Sequence, residues 1–336
     1  MRAIVVRSVA GARKTKPACQ REAGRCCCCC FGLLAFLVVL GVADASAAAA
    51  SAPPVLERAV TIDDSRIVVR FSAADFAASL DDLTDWVGRR ARIVRDFYGR
   101  FPVKSVRLVI REGGEAGVHG GREYSADFPL INISIGRDTM SPQLEDDWVL
   151  VHELIHLAFP EIGYEHAWLA EGLAVYVEGV ARTQAGNETP AEFWGGLVDD
   201  MPKGEPRAGD KGLDRTHTWG RTYWGGALFC LQADVMIRER TGNRKGLQDA
   251  LREVLRVAGG NTNEWPIEKV LAIADGATGT DVLTTLYREH SQNAEPIDLD
   301  AIWHKLGIAR HDGRLVFDDS APLAAVRIAI TRRSSP

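Results

Sequence analysis

The stretch Trp148-Val-Leu-Val-His152-Glu153-Leu-Ile-His156-Leu-Ala-Phe159 constrains the fold more than any other part of the chain. Only His152, Glu153 and His156 interrupt its apolar character, and Pro160 closes it. Ser141 and Pro142 suit a helix cap and first turn, and Glu145, Asp146 and Asp147 favour the positive end of the helix dipole. The pattern predicts one helix from Ser141 to about Phe159. A helix this apolar belongs inside a domain, where its polar side chains need internal partners. At 3.6 residues per turn, His152 and His156 stand one turn apart on one face, where two ring nitrogens can reach one ion. Zinc accepts imidazole at about 2.0–2.1 Å and, in catalytic sites, takes three protein ligands and keeps one position open. Glu153 lies one step round the helix, beside that open position, where its carboxylate can act as general base toward a water. One Zn2+ ion is therefore the expected cofactor.

The third ligand decides the subclass. Zinc proteases with a glycine three residues and a histidine six residues after the second histidine are excluded, since Phe159 and Ile162 stand there. Downstream, Trp168-Leu-Ala-Glu171-Gly172-Leu-Ala-Val-Tyr176-Val-Glu178 places an acid in an otherwise apolar helix, roughly Ala167 to Arg182. A carboxylate withdrawn from water needs a partner or a metal, which favours Glu171 as ligand, with His166 as its competitor. Glu178, seven residues on and on the same face, could orient a metal-bound imidazole through its free N–H, or be a solvated acid.

Together these two segments resemble the gluzincin metallopeptidases, and within them the catalytic domains of the alanyl-aminopeptidase and glycyl-aminopeptidase families. The likeness is most specific over residues 148–178 and extends over 101–290. It implies an α+β, thermolysin-like zincin domain, with a small mixed-sheet lobe followed by a mainly helical lobe. Thr222-Tyr223-Trp224-Gly225-Gly226-Ala227-Leu228 is similar to the family's Tyr-x-Lys-Gly-Ala segment. That similarity implies Tyr223 as the donor to the tetrahedral oxyanion; His217 is the second candidate for that role. Two departures stand out. Gly225 replaces the family lysine, and Gly117-Val-His-Gly-Gly121 stands where relatives carry a Gly-x-Met-Glu-Asn strand, whose glutamate holds the peptide's free amine. The implied activity is hydrolysis of peptide bonds in a peptide or protein substrate. Two other readings remain open from sequence alone: a zinc-binding scaffold without turnover, and a zinc hydrolase acting on a non-peptide amide or ester.

The rest of the chain sorts into four parts. Residues 1–47 have a basic head from Arg2 to Arg25, an apolar run from Phe31 and an Ala45-Ser-Ala47 exit, the three parts of an export signal. The run is about 13 residues, short of the roughly 20 that span a bilayer, so export to the periplasm or outside is expected. Counting the preceding cysteines gives the alternative, an anchor through residues 26–43, and only that outcome brings a membrane partner. Loss of 1–47 leaves 33 basic against 43 acidic residues, a net charge of −10 where the whole chain carries −5. That surface repels nucleic-acid phosphates. It also leaves Cys230 as the single cysteine, since Cys19 and Cys26 to Cys30 depart, and the latter run has no metal-ligand spacing.

Residues 48–140 form the expected N-terminal α/β lobe, with strands at Arg66–Phe71, Val106–Ile110 and Leu130–Ile135, a helix from Asp75 to Tyr98, and a glycine-rich turn from Gly113 to Gly121. Residues 141–292 form the expected helical zinc-binding part, with a long loop from Gly186 to Gly212 and helices near 222–241, 244–257, 266–274 and 279–291. Residues 293–336 form a C-terminal extension, with a helix at 298–306 and a hairpin pairing Leu315–Phe317 with Val326–Ile330. The export reading has a direct check. N-terminal sequencing of the exported protein should begin near Ala48, and an intact chain in a membrane fraction would contradict it.

Overall fold

Two runs alternating between core and surface start the sheet. β1 (Leu56–Ile62) and β2 (Ser65–Phe71) form a hairpin whose turn places Asp63 at a φ of 51°, a left-handed value that aspartate tolerates better than most residues. The computed structural model describes residues 56–124 and 128–333, so the export segment lies outside the described residues. α1 (Leu80–Tyr98) begins at a capping box, with Ser79 Oγ accepting from the Asp82 amide and Asp82 reaching back to the Ser79 amide. It ends at Gly99 in the left-handed conformation. β3 (Ser105–Glu112) returns parallel to β2. β4 (Val118–Tyr124) and β5 (Leu130–Ile135) complete a five-stranded mixed sheet in the order β1-β2-β3-β5-β4. β5 pairs parallel with β3, and β4 closes the edge antiparallel to β5. The sheet buries Ile67, Val69, Leu108, Ile110, Ile131 and Ile133 completely.

The helical part follows. The single helix expected over 141–159 is instead two, α2 (Ser141–Glu145) and α3 (Val149–His156). Asp147 is the reason. Its carboxylate accepts the backbone N–H groups of Val149 at 2.8 Å and Leu150 at 3.2 Å, so it starts a new helix rather than continuing the old one. α4 (Ala167–Gln184) follows a short 3-10 turn, Tyr164–His166. The expected loop over 186–212 contains α5 (Pro190–Asp200), capped by Thr189 with Glu192 in reciprocal contact, and a 3-10 turn at Met201–Gly204. A π-helical turn, Gly220–Gly225, runs directly into α6 (Gly226–Arg240). α7 (Leu247–Ala258), α8 (Ile267–Thr278), α9 (Val282–His290) and α10 (Leu299–Leu306) complete the helical part close to expectation. In the tail, β6 (Ile308–His311) pairs with β7 (Arg314–Phe317), and the segment expected to pair with Leu315–Phe317 is α11 (Ala324–Ile330). Asp312-Gly313, both at positive φ, make a two-residue hairpin turn that fixes the nearer pairing. No helix among the described residues is long and apolar enough to cross a membrane.

Asp147 is buried, and burial pushes its carboxyl up to about 6 against the amides of Leu150 and Val149 and the charges of Arg90 and Arg182. An acid whose folded pKa lies above its ordinary 3.8 binds more protons folded than unfolded between those values. It therefore withdraws stability as pH rises across that window. Asp147→Asn keeps an oxygen for the amides and abolishes this titration. Relative to the parent, the variant should gain up to ~2 kcal/mol in urea unfolding between about pH 4 and 6. A difference independent of pH would contradict the assignment.

Candidate metal centre

α3 and α4 cross so that three ligand atoms converge. His152 and His156 leave one face of α3, with ring centroids 5.0 Å apart. Glu171, in the second turn of α4, places Oε2 3.3 Å from His152 Nε2 and 3.6 Å from His156 Nε2. One atom from each of the three residues lies within 4.8 Å of the other two. Ligands bound at about 2.0–2.1 Å around a tetrahedral ion stand roughly 3.3–3.4 Å from one another, so the two measured edges and the two-imidazole, one-carboxylate donor set fit zinc.

The electrostatics agree with this arrangement. Burial would raise the Glu171 carboxyl, but hydrogen bonds and charge from His152 and His156 outweigh it and hold it far below the usual carboxylate range. Burial would lower His156, yet the hydrogen bond and charge of Glu171 raise it to about 9. Each partner stabilises the other's charged form.

Glu153 packs against the sheet edge at Gly121, near enough to His152 and His156 to feel their charge. It accepts the backbone N–H of Glu123 on β4, and burial raises its carboxyl while His152 and His156 pull it down. β4 comes so close that a Cβ at position 121 would lie 2.4 Å from Glu153 Cγ. Only glycine leaves room there. Glu123, two residues along, holds Asn261 Nδ2 at 2.7 Å. The segment read from sequence as a glycine-rich turn is thus partly an edge strand, laid against the general-base candidate.

Tyr223 reaches the centre through a second close approach. α4 and α6 cross at Gly172 and Gly226, where a Cβ on Gly172 would meet Gly226 Cα at 2.3 Å and one on Gly226 would meet Trp168 O at 1.9 Å. Glu171 and Tyr223 flank this crossing from its two sides. The Tyr223 phenol is half-buried, and burial followed by the charges of Glu171 and Glu153 raises its pKa; its ring stacks on Trp219 at 6.1 Å. His217 is exposed and faces Tyr164 instead, at 5.6 Å. His166 is also outside the cluster, since its Nδ1 meets Asp214 at 2.9 Å. Asp214 collects the Trp168 indole N–H, the Tyr287 hydroxyl and the Gln292 amide as well. Glu178 accepts Arg182 Nη1 at 2.6 Å, while His152 Nδ1 is buried with no hydrogen-bond partner among the described residues.

Gly121 and Gly226 stand out in the sequence as parts of the strand and tyrosine segments, and Gly172 as the residue after Glu171, but no local pattern marks the three as contact points.

No protein-family model matches the chain, and no curated sequence does. Among solved structures, an aminopeptidase N family protein from Idiomarina loihiensis superposes with a TM-score of 0.58 at 14% identity, over 76% of this chain and 49% of that one. The chain has the fold of that protein. An M1 zinc metallopeptidase from Deinococcus radiodurans gives 0.46 at 14% identity over 73% and 53%, and a two-domain M1 zinc metallopeptidase gives 0.48 at 13% over 72% and 53%. The chain spans about half the length of these structures. The α+β architecture expected from sequence, mixed sheet then helices, is the one observed.

The glycine crossing generates a stability test. Gly172→Ala drives a methyl into backbone that cannot swing aside, and should cost about 3 kcal/mol or more in denaturant unfolding. Gly276→Ala, in a helix with nothing within 4 Å, should be neutral or gain up to about 1 kcal/mol. Equal effects at the two positions would mean that the α4–α6 contact is not tight.

Proposed function

We propose that the protein is a zinc metallopeptidase that hydrolyses peptide bonds, with His152, His156 and Glu171 as metal ligands and Glu153 as general base. The observation that carries the reading is the meeting of Glu171 with both imidazoles beside a separate, differently held carboxylate. A purely structural site has no use for that second acid. The fold shared with an aminopeptidase N family protein supports the same reaction class.

A zinc ion on these three side chains would supply Lewis-acid polarisation of the scissile carbonyl and a water acidic enough to react near neutral pH. The chain's own groups do the rest. Glu153 takes the proton from the attacking water and passes it to the leaving amine. Tyr223 donates its hydroxyl to the carbonyl oxygen as negative charge develops. Burial raises its pKa, which favours the protonated, donating phenol. The substrate lies extended along the β4 edge, where backbone pairing gives binding without dependence on side chains. β5, the strand ending at Ile135, is interior and cannot serve, being flanked by β3 and β4. Gly120 faces open space and adds no side chain to this edge, so internal or blocked peptides are acceptable substrates.

Metal analysis and peptide cleavage together test this. His152→Ala, His156→Ala and Glu171→Ala should each lose stoichiometric zinc, whereas Glu153→Gln should retain one zinc per chain and lose more than about 100-fold in kcat. A peptide and its N-acetylated twin should give kcat/KM values within about tenfold of each other. Zinc retained by Glu171→Ala, or full activity in Glu153→Gln, would overturn the assignment of roles.

A further inference from the structure

We propose that Asp210 and Arg221 are positioning residues, a buried latch that holds the π-helical turn Gly220–Gly225 so that Tyr223 faces the metal centre. The proposal rests on the reading of Tyr223 as oxyanion donor.

The latch is built from charge withdrawn from water. Arg221 Nε lies 2.8 Å from Asp210 Oδ2, with side chains 5% and 2% exposed. The contact is chiefly one of charge, with Nε and Oδ2 poorly aligned for a hydrogen bond among the described residues. The other Asp210 oxygen accepts the Gly212 amide at 2.8 Å, and Arg221 Nη1 donates to the Gly204 carbonyl. One guanidinium thus ties the π turn to two separate points of the preceding chain. Backbone contact reinforces the tie. A Cβ on Gly204 would lie 2.2 Å from the Trp224 carbonyl carbon, and one on Gly220 would lie 2.4 Å from Lys203 O.

Such a device calls for a reason other than stability. A buried ion pair often contributes less than the apolar side chains that could replace it, and π-helical turns are rare, occurring mostly as single turns at functional sites. The π turn contains Tyr223, and the arginine of the pair stands two residues before it. Residues two apart on a helical turn do not face each other. Arg221 is turned to the 204–212 segment, and Tyr223 to Glu171 on the far side, where the Gly172–Gly226 crossing brings α4 against the turn. A relaxation of the π turn into α-helix would rotate Tyr223 away while leaving His152, His156 and Glu171 in place. The latch opposes that rotation.

A double-mutant cycle on the zinc-loaded full chain tests the proposal. Asp210→Asn should lower kcat about 10- to 100-fold, with KM within about twofold and one zinc per chain retained. Its affinity for a phosphinic peptide, a tetrahedral mimic of the reacting centre, should fall by the same factor as kcat. Placed on a Tyr223→Phe background, the same substitution should change kcat less than about threefold, because the group it positions is already gone. Arg221→Lys, which keeps the charge and loses the fork, should behave alike and serves if Asp210→Asn does not fold. Equal losses in both backgrounds, or no loss in either variant, would overturn the latch. Failure of both variants to fold would overturn it too, making the pair a stabilising element of the fold. Parental kcat in Tyr223→Phe alone would instead overturn the reading of Tyr223 on which the proposal rests.

Discussion

A carboxylate inside a protein stays ionised only when something compensates for the water it has lost. Glu171 is compensated by two imidazole nitrogens at 3.3 and 3.6 Å, and most of the architecture serves that meeting. α3 must present His152 and His156 on one face, α4 must approach at the second turn, and both helices must be fixed at their ends. Asp147 fixes α3 by capping it from inside the protein. Arg90 and Arg182, both buried, lie close enough to act on that cap. Arg182 also pairs with Glu178 at 2.6 Å and approaches Glu188 at 3.5 Å. A buried network of charge therefore links α1, the α2–α3 turn and α4. Its members are poor candidates for net stabilisation one by one, but together they specify how α3 and α4 are set.

Glycine sets the remaining distances. Gly121 lets the edge strand lie against Glu153, and the Gly172–Gly226 pair lets α6 and its preceding π turn lie against α4. Each removes one side chain where backbone must touch backbone or the Glu153 carboxylate. The sheet edge and the π turn thus both approach the His152, His156 and Glu171 cluster.

How much of this was legible in the sequence follows from the range of each interaction. The convergence of His152, His156 and Glu171 was readable because helix periodicity is local and the surrounding residues are apolar, which leaves few alternatives for polar groups. Most helices after residue 220 were readable for the same reason. β1 and β4 were not, because Leu56–Ile62 alternates weakly and Val118–Tyr124 contains two glycines; pairing with the next strand along the chain, β2 and β5 respectively, makes them strands. The break between α2 and α3 was hidden because three consecutive acids look like a first turn, and only the burial of Asp147 turns one of them into a cap. α5 was missed although Thr189, Pro190 and Glu192 spell a helix start. The tail was misread because similarly apolar segments were paired across a longer separation than the Asp312-Gly313 turn allows. The fates of His166, His217 and Glu178 depended on Asp214, Tyr164 and Arg182, contacts that no spacing rule supplies.

The central claim is that one zinc ion is held by two histidines of α3 and one glutamate of α4. Diffraction data collected on either side of the zinc absorption edge, from crystals of protein purified without chelator, address it directly. The account predicts a single strong anomalous peak about 2.0–2.2 Å from His152 Nε2, His156 Nε2 and a Glu171 carboxylate oxygen, with Glu153 outside the coordination shell. A peak coordinated by Glu153 or His166 in place of Glu171, or no peak between α3 and α4, would contradict it.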